Sequence, residues 1–258
     1  MIFFYSFLIF LFGASLGSFA NVCIYRLPRD KQIISGRSFC PRCKKKIEWY
    51  DNLPLISYIF LNAKCRNCDK SISARYLIVE LITGISFLLI FLSFKNLYTI
   101  IFLSILILIL IMIFFIDLEN FIIPDSLNFL IMGLALFKNF IPSFNTSLIH
   151  DINQSLIGGI IGYLSIWLII FLYKTLKKID GMGLGDAKLM AGIGLLFGWQ
   201  SIPLVLFLSS ILGLFYVTPS LLKKQKTMRS EIPFGPFIII AMLIYFVFGD
   251  FFYGLILV

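Results

Sequence analysis

The chain has 258 residues, 60% hydrophobic and 14% charged, with a mean hydropathy of +0.98. Soluble domains are only about 45–50% apolar, so a water-soluble globule is excluded, as is a disordered chain, which needs low hydrophobicity. The net charge of +9 suits cytoplasmic loops facing anionic lipid, with no call on nucleic acid.

A helix crossing the hydrocarbon core needs roughly 20 apolar residues. Residues 2–25 are uncharged. They lack a basic n-region and exceed a signal-peptide h-region, so they read as a first transmembrane helix. Residues 26–75 are polar and form an insert. Residues 76–94 carry one charge, Glu80, and residues 96–116 none. Residues 126–141 are shorter, with Lys138 near the far end. The spans 152–173, 189–199, 202–222 and 232–249 follow, the second of these short. The pattern predicts an all-α polytopic membrane protein of about eight transmembrane helices. It divides into residues 1–25, a cytoplasmic insert 26–75 and a membrane core 76–258.

The insert holds twelve Lys and Arg against four acids, and residues 174–188 and 223–229 hold four basic residues each. With the amino terminus outside and the spans alternating, all three stretches share one side, leaving only Lys95 and Lys138 opposite. That side is the cytoplasm by the positive-inside rule.

The insert contains Cys40-Pro-Arg-Cys43 and Cys65-Arg-Asn-Cys68, separated by 21 residues. Two close pairs suit one tetrahedral zinc ion, Cys40, Cys43, Cys65 and Cys68 each giving a thiolate. A reducing cytosol disfavours disulfides. Lys44, Lys45, Lys46, Lys64 and Arg66 would offset the negative cage. With every position filled by protein the metal is structural. Cys23, in the first span, reads as a small buried apolar residue.

Ionisable residues at the bilayer edge are functional candidates. Asp117 closes the third span in Ile116-Asp117-Leu118-Glu119-Asn120-Phe121-Ile122-Ile123-Pro124-Asp125. Asp186 follows Gly181-Met182-Gly183-Leu184-Gly185. Both fall at the cytoplasmic surface in this topology, which suits an aspartyl dyad: one carboxyl ionised, taking a proton from water, the other protonated and polarising a carbonyl. The one histidine, His150, falls on the outer side, so a Ser–His or Cys–His site is disfavoured. Two other readings stay open here. Asp186 sits where an N-cap would and Asp117 could pair with a basic loop, or the acids could line a transporter's pathway. Gly183 and Gly185 would let an extended peptide approach Asp186. Gly158 and Gly162 suggest close helix packing, and Pro233-Phe234-Gly235-Pro236 an irregular start to the last span beside the site.

An ordered set of motifs resembles the type IV prepilin leader peptidases, bifunctional bacterial aspartyl endopeptidases of pilus and type II secretion systems. The set comprises Gly17-Ser18-Phe19-Ala20-Asn21-Val22-Cys23-Ile24-Tyr25-Arg26-Leu27-Pro28, the cysteine pairs, Asp51-Asn52-Leu53-Pro54 and Ser73-Ala74-Arg75-Tyr76 through Glu80. It continues with Asp117 to Asp125, Gly183 to Asp186, Lys188-Leu189, Gly198-Trp199 and Pro233 to Pro236. The Gly-x-Gly-Asp signature is similar to that of presenilin-type proteases. The resemblance implies cleavage of basic leaders from prepilins and pseudopilins at the cytoplasmic face of the bacterial inner membrane, with Asp117 and Asp186 as catalytic pair. It also implies N-methylation of the new terminus with S-adenosylmethionine. Gly183, Gly185, Glu119 and Asp125 are the expected substrate-approach residues, with Asp180 a further acid beside the dyad. The family shows Arg-Gly-Lys before the second cysteine pair, where this chain has Asn62-Ala63-Lys64.

Overall fold

A computed structural model describes residues 2–33, 38–140, 151–178, 182–222 and 232–256. His150, Asp180, Gly181 and the basic stretch 223–229 lie outside them. Among the described residues the chain is helical, in the order α1 (Ile2–Arg26), α2 (Ile56–Phe60), α3 (Ala74–Ser93), α4 (Leu97–Asn120), α5 (Asp125–Phe137), α6 (Ile152–Lys177), α7 (Leu184–Phe197), α8 (Ser201–Leu222) and α9 (Gly235–Ile256). Among these residues five helices, Phe3–Arg29, Ala74–Ser93, Leu97–Asn120, Ile152–Lys177 and Ser201–Pro219, are long and apolar enough to cross a membrane. Gly235–Gly249 is a shorter apolar helix. Each predicted span coincides with a helix.

Local chemistry sets the ends. The Ser73 side chain accepts the Arg75 N–H at the start of α3, and Asp151 Oδ1 accepts the Gln154 N–H at 2.8 Å at the start of α6, both N-caps. Gly198, at φ 81°, ends α7, a backbone conformation that favours glycine.

The chain forms two compact units, Met1–Met112 and Ile113–Val258. In the first, α1 and α3 pack antiparallel through small residues. A Cβ at Gly13 would lie 3.0 Å from the Gly84 backbone, and one at Gly17 2.8 Å from the Glu80 Cα. Further along the same face, Asn21 Nδ2 donates to the Tyr76 carbonyl at 3.1 Å. Without such residues the two backbones could not approach so closely.

In the second unit α7 is the core. Every residue from Leu189 to Phe197 is buried, as expected of a helix apolar all round. The backbones of α6 and α7 touch where Gly158 meets Gly194, and Gly162 lies against the Met190 carbonyl. On another face Gly192 meets Ile131 of α5, its Cβ position 2.8 Å from Ile131 Cγ2. Lys138, just past α5, is buried, and its Nζ donates to the Leu196 carbonyl at 2.6 Å. It thereby satisfies a last-turn carbonyl of α7.

Candidate active site

Asp117 lies in the last turn of α4. That helix stops because Phe121 takes a left-handed conformation, φ 56°, and returns its N–H to the Asp117 carbonyl at 2.9 Å. The chain then turns through Ile122, Ile123 and Pro124 into α5. Asp117 is 4% exposed. Its Oδ2 accepts the backbone N–H of Gly235, the first residue of α9, at 2.9 Å. The first N–H groups of a helix have no internal acceptor and sit at the positive end of its dipole, so α9 presents a ready donor to this carboxylate. A Cβ there would lie 2.8 Å from Asp117 Oδ2 and 3.1 Å from Ile123 Cδ1, so any larger residue would have to displace these side-chain ends.

Asp186 is the third residue of α7 and is 8% exposed. Gly183 occupies the N-cap, so Asp186 is not the N-cap residue of its helix. Among the described residues Asp117 has no basic partner, and its Oδ2 accepts the Gly235 N–H. Asp186 Oδ1 is buried and meets no donor among the described residues. The turns that carry the two aspartates meet at Ile123, which lies against Gly235, the donor to Asp117, and against Gly185, the residue before Asp186.

Ile123 and Asn128 set the spacing of the two turns. A Cβ at Gly185 would lie 3.0 Å from Ile123 Cβ, so Ile123 packs against both Gly185 and Gly235. Asn128, fully buried on α5, donates its Nδ2 to the Gly185 carbonyl at 3.3 Å. Asp125, exposed, forms an ion pair with Lys188 Nζ at 2.6 Å, joining the starts of α5 and α7. Among the described residues, the atoms nearest a Cβ built at Gly183 are Gly185 N at 3.8 Å and Asp186 Oδ2 at 4.0 Å, ordinary van der Waals contact. Of the expected approach residues, then, Gly183 adds no side chain beside Asp186, while Gly185 serves close packing and Asp125 is engaged by Lys188. Glu119 is exposed one turn-edge beyond Asp117.

The four insert cysteines form a group that could hold a metal ion, their Sγ atoms all within 4.8 Å of one another. Cys40 and Cys68 are 4.0 Å apart. A tetrahedron with 2.3 Å zinc–sulfur bonds has edges of about 3.8 Å, so the cage needs little contraction. Two matching turns build it. The Cys40 N–H donates to the Lys45 carbonyl and the Cys65 N–H to the Lys70 carbonyl, each at 2.9 Å. Lys44 and Asp69, each just after the second cysteine of its pair, are left-handed at φ 59° and 51°. The Lys70 backbone N–H lowers the Cys68 thiol's pKa, but desolvation and the Cys65, Cys43 and Cys40 thiols outweigh it and push it up to about 11. Arg66 does not face the cage charge alone: its Nε and Nη2 grip Asp51 at 2.9 and 2.7 Å.

Residues 11–94 match the family described as "Bacterial Peptidase A24 N-terminal domain", and residues 103–218 match the "Type IV leader peptidase family". A relative from Vibrio cholerae named "Prepilin leader peptidase/N-methyltransferase" is 38% identical over 240 residues, covering 90% of this chain and 92% of its own length. The chain belongs to the type IV leader peptidase family. Relatives of the same name from Aeromonas salmonicida and Pseudomonas aeruginosa are 33% and 32% identical, covering 94% and 93% of this chain and 90% and 89% of their own. No solved structure matches.

Within this family's matched segments lie both aspartates and all four cysteines, whereas Gly235 falls beyond residue 218. Asn128 is the residue that sequence reasoning passed over. The available signal was a lone amide in a 13-residue apolar helix, three positions after the Asp125 that was noticed.

Proposed function

We propose that the chain is a membrane aspartyl endopeptidase that removes the basic leader from type IV prepilins and pseudopilins and N-methylates the new terminal residue. The observation that carries this reading is the buried Asp117–Asp186 pair, one member held by the Gly235 N–H and the other next to Gly183, whose bare Cα leaves the turn without a side chain. The relatives' names support both activities. The transporter alternative finds no support in those relatives.

In this reading Asp117 is ionised and draws a proton from water, while Asp186 carries a proton and hydrogen-bonds the scissile carbonyl. Water adds to the carbonyl carbon, and the tetrahedral intermediate collapses with a proton passing to the leaving amine. An extended substrate backbone lies over Gly183, which has no side chain of its own to obstruct it. Glu119 supplies negative charge toward a cationic leader. Zinc is the metal that four thiolates of this spacing favour; it would fold the insert, residues 26–75, which the core at 76–258 does not need for proton transfer. S-adenosylmethionine would supply the methyl group. The concentration of basic residues in and around the insert supports a cytoplasmic position for it and for the aspartates, at the inner membrane.

Incubating the purified protein in lipid nanodiscs with a pilin-like precursor, followed by intact-mass measurement, tests the reading. The expected product lacks the leader, and with S-adenosylmethionine present it gains one methyl group. An unaltered precursor would sink the proposal.

A further inference from the structure

Glu80 is the one acid in α3, whose other charge, Arg75, lies in the first turn, and the proposed peptidase chemistry makes no use of it. It lies six residues from the start of α3 at Ala74, about 9 Å along the helix at 1.5 Å per residue. Its Cα is where α1 and α3 pack most closely, against Gly17. The carboxylate is buried, 7% exposed. It accepts the backbone N–H of Leu55 at 2.8 Å.

Leu55 belongs to the insert and is bent sharply. Its φ of 62° and ψ of −47°, with the Ile56 N–H returned to the Pro54 carbonyl at 2.6 Å, make a γ-turn of the strained hand. The Glu80 bond therefore holds the tip of the insert not at the helix end but well down the α1–α3 pair. The short helix α2 starts at that tip. Its Ile56, Ile59 and Phe60 are 47%, 66% and 83% exposed, and Trp49 just before the turn is 72% exposed. At the same level α3 exposes Ile78 and Ile82, the outward face of a helix apolar enough to cross a membrane.

We propose that residues 49–60 dip into the bilayer interface, with acyl chains covering Ile56, Ile59 and Phe60, and that Glu80 is the acceptor that allows it. Non-helical backbone at membrane depth must have its polar groups satisfied by protein, and the Leu55 N–H, pointed away from its own turn, has Glu80. The occupant is lipid because the anchor is on a spanning helix: the segment cannot leave the depth at which Glu80 holds it. The flanking chemistry agrees. Trp49 and Tyr50 stack edge to face, and Arg66 lies 5.5 Å over the Tyr50 ring, the aromatic and basic combination favoured at the headgroup level.

A single-tryptophan variant tests this: Phe60→Trp with Trp49, Trp167 and Trp199 each replaced by Phe, in nanodiscs with brominated lipid or aqueous iodide. The inference expects a blue-shifted emission that loses most of its intensity to brominated lipid and little to iodide. Strong iodide quenching would place the tip in water and overturn it. Quenching by neither would mean protein covers the face, which also overturns it. With Glu80→Leu in the same background the probe is expected to move toward iodide accessibility, whereas Glu80→Gln, which keeps an acceptor oxygen, is expected to leave it in lipid. None of these readouts depends on peptidase activity.

Discussion

Gly235 gives its backbone N–H to Asp117 Oδ2 at 2.9 Å across 118 positions of sequence. The contact leaves no room for a side chain on Gly235 unless that oxygen shifts, and it orients one oxygen of Asp117, so the geometry of one carboxylate depends on the first residue of α9. Gly235→Ala would push a methyl group into that oxygen. The expected result is a fall in kcat of at least ~10-fold, as small misplacements of catalytic groups produce, with KM nearly unchanged. Steady-state kinetics on a precursor peptide checks it, and a rise in KM alone would contradict the argument.

Asp117→Asn and Asp186→Asn are each expected to lower cleavage by at least ~10²-fold, the lower range of general acid–base contributions, with insertion and folding kept. Asp125→Asn breaks an exposed ion pair with Lys188, worth about 0–1 kcal/mol, and is expected to retain most activity. Precursor processing in cells lacking the native enzyme would report all three. Near-normal cleavage by either of the first two would refute the dyad.

The insert is expected to bind about one equivalent of zinc through its four thiolates, measured by metal analysis of the purified protein. Cys40→Ser should lose the metal and increase proteolysis of residues 26–75. Full processing of the precursor by that variant, with methylation reduced, would fit a separate role for the insert.

Ala63 occupies a left-handed position, φ 57°, directly after Asn62 at φ 48°. A non-glycine residue there costs roughly 1–2 kcal/mol. Ala63→Gly is therefore expected to stabilise the insert by about 1 kcal/mol, seen as slower proteolysis of that segment or slower zinc loss to a chelator. This is also the position where the family pattern has glycine, and the backbone supplies the reason.

Neutralising Glu119 together with Asp180 is expected to raise KM for leaders rich in Lys and Arg. The effect should shrink at 1 M salt, where the Debye length is about 3 Å. A loss confined to kcat would assign these acids elsewhere.

Much of this was legible in the sequence because hydrophobic runs report helices regardless of neighbours, and paired cysteines report a cage through their spacing. What the runs could not report is what each helix faces. The stretch at 189–199 read as a short span, while in the structure α7 is buried on every side. Long-range pairings were equally silent. Lys138 reads as a charge near the far end of the span 126–141, yet its Nζ donates to the carbonyl of Leu196, 58 residues away. Glu80 was visible as a lone charge, but nothing local pointed to Leu55, 25 residues earlier. Pro233-Phe234-Gly235-Pro236 announced an irregular helix start, without saying which side chain would use the freed N–H.

The contact between Gly158 and Gly194 has a bearing on how a substrate enters. Where two helices meet backbone to backbone, no side chain is present to swing aside. That crossing is a fixed wall, and a lipid-borne helix has no lateral door along it. Directly beside it, however, an apolar crevice opens between α6 and α7, lined by Gly159, Ile160, Tyr163, Ala191 and Leu195 among others, so an apolar small molecule has a place to wedge next to the crossing but not through it.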